Sequence, residues 1–254
     1  MAPIALVTGA TAGIGQATAK ILAQHGYQLV LTGRRQDRLQ ELQEKLRTDF
    51  ETASQILVFD VREASETQRG LESLPDTWKQ VDVLVNNAGL AAGLASISNG
   101  NLDHWDRMID TNVKGLLYVS RVVIPWMVER KSGHVVNIGS IAGKEVYPNG
   151  NVYCASKHAV DALSRGMRLD LVHDGVKVTN IAPGLVETEF SLVRFDGDAD
   201  RARQVYQGLE PLTAEDVADC VWFAVSRPAH VTIGDLLVLP AAQANSTTVN
   251  RQQA

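Results

Sequence analysis

Residues 4–15, IALVTGATAGIG, decide how the rest of the chain is read. Ile4-Ala-Leu-Val-Thr8 is a short apolar run expected to form a buried strand, and an apolar-periodic segment ending at His25-Gly26 is expected to form a helix. Between them lie Gly9, Gly13 and Gly15, with Thr11 and Ile14 in the same turn. A glycine-rich turn that opens a helix makes an anion site from backbone N–H groups and the helix dipole. Gly9 lets the chain turn, Gly13 lets backbone approach a pyrophosphate, and Gly15 allows close helix–strand packing. The spacing is Gly-x3-Gly-x-Gly, not G-x-G-x-x-G, and glycine clusters also serve ordinary tight turns. The position between strand and helix points to a dinucleotide.

Strand and helix signals alternate outward from this unit. A second strand, 27–32, runs into Gly33-Arg34-Arg35. A site reading a ribose 2′-hydroxyl places Asp or Glu about 20 residues beyond the glycine turn. Two arginines stand there instead, and a guanidinium pairs bidentately with phosphate, which favours NADP over NAD. The alternative is a solvated helix start, where arginine opposes the dipole preference for acids. A helix over 36–50, a strand over 55–59 ending in Asp60-Val61, and a helix over 65–74 follow. The strand 81–85 ends in Asn86-Asn87-Ala88-Gly89, a small-residue turn that either receives a flat ligand or is only a turn. A helical stretch over 102–130 carries Asn112 with Gly115 three residues on, which disfavours regular helix and marks packing or a polar site. Strands over 134–138 and 176–181, the latter followed by Pro183-Gly184, flank a helix running to about His173. Residues 189–208 are polar and charged. Thr213-Ala-Glu-Asp216 is expected to cap a helix through Ser226, before a last strand over 236–239 and a polar tail over 241–254. The alternation implies one α/β domain over 1–254, a doubly wound parallel sheet of about seven strands with helices on both faces.

Ser140, Tyr153 and Lys157 fall within residues 137–157, NIGSIAGKEVYPNGNVYCASK. Ser140 follows a strand end, the edge at which open parallel sheets bind ligands. Tyr153 and Lys157 are an i, i+4 pair if a helix starts near Tyr153. Tyr-x3-Lys is by itself an ordinary amphipathic pair. As chemistry, an ammonium beside a phenol favours the phenolate. At about 4 Å and an effective dielectric of about 20 the attraction is about 4 kcal/mol, enough to bring a pKa of about 10 toward 7. There a tyrosine is an efficient general acid–base catalyst.

Composition bounds the alternatives. The chain has 254 residues, 45% hydrophobic, with a formal charge of -5. The acidic balance argues against a nucleic-acid surface. No apolar run approaches the ~18 residues of a membrane span, and the N-terminus carries no signal-peptide pattern. Cys154 and Cys220 form neither a disulfide framework nor a metal-ligand spacing, and the six histidines are scattered, so the expectation is a cytoplasmic protein without a structural metal.

The collected residues run in one order: Thr8-Gly9-x3-Gly13-x-Gly15, Asp60, Asn86-Asn87-Ala88-Gly89, Asn112, Ser140, Tyr153-x3-Lys157 and Pro183-Gly184. In this order and spacing the chain resembles the short-chain dehydrogenases/reductases along nearly its whole length. The segments GATAGIG, TGRRQDRLQEL, LVNNAGLA, MIDTNVKGL, PGLVETEF, VRFDGD and LTAEDVAD resemble the NADP-dependent 3-hydroxy acid (serine) dehydrogenases and the related sulfoacetaldehyde reductases. The resemblance implies a Rossmann-type fold, NADP(H) as cofactor, a small-molecule substrate and a homotetramer in which the tail after Pro240 contacts a neighbour. It implies that Tyr153 gives a proton to the carbonyl oxygen while nicotinamide gives hydride to the carbon. It makes Lys157 hold the nicotinamide ribose and lower the Tyr153 pKa, Ser140 bond the carbonyl, and Asn112 hold a water in a proton relay. Arg34 and Arg35 would take the 2′-phosphate, Asp60-Val61 the adenine, Asn87, Ala88 and Gly89 the adenosine side, and Pro183, Gly184, Val186 and Thr188 the nicotinamide end. Ser140, Tyr147, Tyr153 and Arg194 are the expected substrate contacts. The expected function is reduction of a small acidic aldehyde such as sulfoacetaldehyde or malonate semialdehyde. Dehydrogenation of serine-like 3-hydroxy acids, broad carbonyl reduction and non-catalytic NADP sensing are the alternatives. Within 189–210, Arg194 either clamps the acid group of a substrate or neutralises the acidic run Asp196, Asp198 and Asp200. Cys154 is read as packing.

Overall fold

The computed structural model describes residues 2–252; the expected tail is thus described as far as Gln252, and Gln253 and Ala254 lie outside the described residues. Every residue of β1 (Ile4–Thr8) is buried. Its side chains alternate between two cores, with Ala5 and Val7 on one face and Ile4 and Leu6 on the other. That is the period-two geometry of a strand covered on both sides. β2 (Gln28–Gly33), β3 (Ser54–Val58), β4 (Val81–Asn86), β5 (Gly133–Ile138), β6 (Val176–Pro183) and β7 (Asp235–Val238) complete a sheet ordered β3-β2-β1-β4-β5-β6-β7. All six neighbouring pairs are parallel. The order reverses between β1 and β4, which opens a crevice beyond the carboxyl ends of those strands.

Helices cover both faces. α1 (Gly13–Gln24) and α9 (Ala214–Val225) pack on one side with α2 (Gln36–Phe50). α2 is strongly charged, yet Leu39, Leu42 and Leu46 form a single buried stripe. Full burial of one leucine is worth about 1.5–3 kcal/mol, so three outweigh the weak preferences of the exposed face. α9 starts at the expected cap, with Thr213 and Asp216 forming a reciprocal capping box. On the other side lie α3 (Ala64–Glu72), α5 (Leu116–Glu129) and α6 (Asn151–Leu171), around Leu71, Val119, Val123, Met127 and Leu171.

The helical stretch expected over 102–130 is not one regular helix. α4 (Leu102–Ile109) and α5 are joined by a π turn, Asp110–Gly115, with the fold's Asn112 buried inside it. The Asn112 side chain bonds the backbone of Leu90, and Gly115 lies against Val61, where an added Cβ would come within 2.8 Å of the valine. The wider turn lets both fit. Residues 189–208 hold α7 (Glu189–Arg194) and α8 (Ala199–Gln204). The tail folds back on its own chain, where Gln243 is buried and accepts a hydrogen bond from Leu185 N–H at 2.9 Å. Among the described residues no helix is long and apolar enough to cross a membrane.

Candidate active site

The crevice at the β1–β4 switch is a cleft of about 340 Å³. Its floor begins at the glycine turn, where Gly9 and Gly13 have φ of 65° and 51°. These are left-handed conformations that glycine adopts without strain. No side chain caps α1, and Gly13 and Ile14 line the cleft with Gly9 and Thr11, so first-turn N–H groups stay available to an anion. Gly15 does not line the cleft. A Cβ there would meet Gly9 O and Asn87 Nδ2 at 2.4 Å, so this glycine serves the close packing of helix on turn that its spacing suggested.

Arg34 and Arg35, at the β2–α2 junction, line one end of the cleft with Asp60 and Val61. Arg35 donates to Thr11 Oγ1 from Nη2 at 2.7 Å and from Nε at 3.2 Å. Asp60 pairs with Arg62 at 2.6 Å and with Arg34 at 3.5 Å. Burial pushes the Asp60 carboxyl up, but the Arg62 hydrogen bonds and the nearby Arg34 charge outweigh it and hold the group below its usual range. Asn87, Ala88 and Gly89 form the wall after β4. The Asn87 side chain is tied to the glycine turn by donation to Thr8 O at 2.8 Å. Pro183, Gly184, Val186 and Thr188 form the wall after β6.

Ser140, Tyr153 and Lys157 meet at the other end. Ser140 lies two residues beyond the end of β5, and its Oγ accepts from Ala142 N–H at 3.1 Å to start a short 3-10 turn. Tyr153 and Lys157 are buried on one face of α6, which begins at Asn151. Lys157 Nζ donates to Ile138 O at 2.9 Å, and burial pushes its pKa down to about 8. Asn112 stands behind the wall, not in the lining. Both of its N–H donors are taken, by Leu90 O at 2.8 Å and Ser156 Oγ at 3.0 Å, and Oδ1, which accepts from Leu90 N–H, keeps one further lone pair.

The electrostatics correct one expectation. Lys157 does not lower the Tyr153 pKa in this structure; the phenol lies above its ordinary value. Burial is the main cause and Tyr147 adds to it, while hydrogen bonding to Ser140 and the Arg194 charge act against it without winning. The cation over the ring is Arg194, whose Cζ lies 5.5 Å from the Tyr153 centroid. Removing a phenolate from water costs more here than that cation returns.

Arg194 and Tyr147 lie just outside the cleft lining. Arg194 Nη2 donates to Tyr147 Oη at 2.8 Å and Nε donates to Gly93 O at 3.4 Å. The acidic run behind it is satisfied elsewhere. Asp196 faces His104 at 3.4 Å and Arg107 at 3.8 Å, Asp198 caps α8, and Asp200 pairs with Arg203. Arg194 has no carboxylate partner among the described residues. Sequence reasoning missed Phe190, edge-on to Tyr153 with centroids 5.8 Å apart, and Glu189, which joins Arg35 and Arg38. The TEF segment gave no sign of either role, because both depend on contacts across the chain. Cys154 is buried among apolar neighbours, and among the described residues no cluster of His, Cys, Asp or Glu is placed to hold a metal ion.

Known proteins resemble this chain in sequence and in fold. A family model described as short chain dehydrogenase matches residues 3–197. The chain is 47% identical to the NADP-dependent 3-hydroxy acid dehydrogenase YdfG of Escherichia coli (strain K12), over 98% of this chain and 100% of that protein. It is 44% identical to sulfoacetaldehyde reductase 2 of Chromohalobacter salexigens, over 96% of each. Among solved structures, the closed form of serine dehydrogenase complexed with NADP+ superposes with a TM-score of 0.91 at 46% identity, covering 98% of this chain and 100% of that one. The sheet order, the glycine turn, the Ser140–Tyr153–Lys157 grouping and these likenesses agree: the chain belongs to the short-chain dehydrogenase family of oxidoreductases.

Proposed function

We propose that this protein is an NADPH-dependent reductase of a small aldehyde bearing an acid group, of the sulfoacetaldehyde or malonate semialdehyde kind. The observation that carries it is Arg194, a guanidinium held over the Tyr153 ring with no acidic partner among the described residues. Such a fork takes two oxygens of a carboxylate or sulfonate and fixes the far end of a substrate whose carbonyl lies at Tyr153. The cleft fits NADP(H): the uncapped start of α1 would receive the pyrophosphate, Arg34 and Arg35 the 2′-phosphate, and Lys157 the nicotinamide ribose. Bound NADPH supplies the hydride to the carbonyl carbon. Tyr153, kept protonated by burial, gives its proton to the carbonyl oxygen, and Ser140 Oγ holds that oxygen in place. Lys157 keeps a positive charge below about pH 8, and Asn112 steadies the Leu90 loop, with Oδ1 left for a relay water.

The 3-hydroxy acid dehydrogenase likeness favours the reverse reaction on the same scaffold. The same arginine would hold the carboxylate of a 3-hydroxy acid. The ammonium group of serine has no obvious counterpart, because the acidic side chains lining the cleft, Asp60 and Glu189, are paired with arginines at its other end. Turnover of sulfoacetaldehyde, malonate semialdehyde and serine, side by side with NADPH or NADP, tests the proposal. The acidic aldehydes are expected to have the highest kcat/KM; serine exceeding both would overturn the reading.

A further inference from the structure

We propose that Glu189 is a positioning residue that occupies the 2′-phosphate site from within and couples its occupancy to α7, the lid over the substrate end. The inference rests on the reading of Arg34 and Arg35 as the phosphate arginines. Glu189 is the first residue of α7, and its carboxylate spans two guanidinium groups. One oxygen accepts from Arg35 Nη1 at 3.1 Å and the other from Arg38 Nη1 at 2.7 Å. This is how two phosphate oxygens would be held. Arg34, the remaining cation lining this end, faces Asp60. An incoming dianion therefore has to take its arginines from a carboxylate, and the two carboxylates differ in how firmly they are held. Asp60 is fixed within its own turn by Arg62, through backbone N–H at 3.1 Å and side-chain donors at 2.6 and 3.0 Å. Glu189 has two exposed side-chain contacts, and exposed ion pairs of this kind are held only weakly against solvent. Glu189 is the group that yields.

Its release does not stay local. α7 is six residues long, about 9 Å at 1.5 Å per residue. Phe190 of the same helix packs edge-on against Tyr153, and Arg194 at its end lies over that ring. Phosphate at the adenosine end thus removes the side-chain tether at the start of α7, while its far end stays joined to Gly93 and Tyr147 through Arg194. Cofactor discrimination and lid position become one event, set by the differential hold of Glu189 on the arginines.

The test compares wild type with Glu189→Gln and with Glu187→Gln, the same charge change at an exposed neighbour with no arginine contact. Binding of adenosine 2′,5′-bisphosphate and adenosine 5′-monophosphate is measured by calorimetry, since neither carries a nicotinamide to touch the lid directly. Glu189→Gln is expected to bind the bisphosphate about three- to tenfold tighter, the range for losing one or two exposed pairs, with the monophosphate unchanged. Glu187→Gln is expected to match wild type. Trypsin cleavage within residues 189–208 is expected to speed up when wild type binds the bisphosphate, and to be fast in Glu189→Gln without it. Unchanged or weaker bisphosphate binding by Glu189→Gln, or a cleavage rate indifferent to the bisphosphate, overturns the proposal. If wild type itself fails to prefer the bisphosphate, the assignment of the phosphate arginines falls first and takes the proposal with it.

Discussion

At the scale of single residues, the account depends on Tyr153 being a proton donor whose protonation is secured by burial. Tyr153→Phe keeps the ring against Phe190 and removes only the hydroxyl. Turnover is expected to fall by about 10²–10⁴-fold, the usual contribution of general acid catalysis, with NADPH affinity nearly unchanged. Activity within a few-fold of wild type would remove Tyr153 from the role. The alkaline limb separates the two partners. The Lys157 pKa is pushed down to about 8 by burial while Tyr153 is raised, so Lys157 loses its proton first as pH rises. The reductive kcat/KM, which reports the free enzyme, is expected to decline above about pH 8. A limb beginning only above about pH 10 would assign it to an ordinary phenol instead.

At the scale of elements, the β2–α2 junction and the glycine turn are mechanically joined, because Arg35 bonds Thr11 as well as facing the cleft. Arg34 pairs with Asp60 at 3.5 Å, away from the glycine turn. Arg34→Gln is therefore expected to weaken NADPH about tenfold and leave NADH unchanged, the loss of one charge-assisted hydrogen bond. Arg35→Gln is expected to weaken both cofactors, because the turn that receives the pyrophosphate loosens too. Binding titrations with each cofactor check this, and equal effects of the two substitutions would contradict it. Much at this scale was legible. The apolar run at Ile4–Thr8 and the leucine stripe of α2 encode their elements through burial alone. The Thr213–Asp216 cap is local chemistry, visible within four residues. The π turn was only half legible: Asn112 and Gly115 warned against regular helix, but Leu90 and Val61, which explain the turn, are distant in sequence.

At the scale of the molecule, a buried histidine in the sheet links folding to pH. His134 lies on β5, and its Nε2 is 2.7 Å from Thr179 Oγ1 on β6. Thr179 donates its own proton to Ile233 O at 2.6 Å, so the imidazole must be the donor to Thr179, leaving Nδ1 as a buried atom without a partner. Burial, with Lys177 nearby, lowers the His134 pKa from 6.5 to about 3. Between those values the unfolded chain binds the extra proton, so the stability from this site is full above about pH 6.5 and is lost as pH falls toward 3. From pH 6.5 to 5 the loss is about 2 kcal/mol. Chemical denaturation of wild type and His134→Gln across that window measures it, the variant being expected to show a flatter pH dependence whatever its absolute stability. Parallel curves would show that His134 is not the group responsible. This feature was not legible, because a histidine in an apolar run does not reveal its partner 45 residues on. The Glu189 bridge to Arg38, 151 residues away, escaped for the same reason, as did the binding of Arg194 to Tyr147. The sequence could place Arg194 in the right segment, but only the fold distinguishes it from a counterion to the acidic run.

The acid-group clamp is the central claim, and Arg194→Met tests it most directly. The substitution keeps a long apolar side chain beside Tyr147 and removes the charge. kcat/KM is measured with an acidic aldehyde and with an uncharged aldehyde of similar size. The clamp requires a fall of about tenfold or more for the acidic substrate alone, the loss expected from one charge-assisted bond. An equal fall for both substrates, or no fall for either, would contradict it.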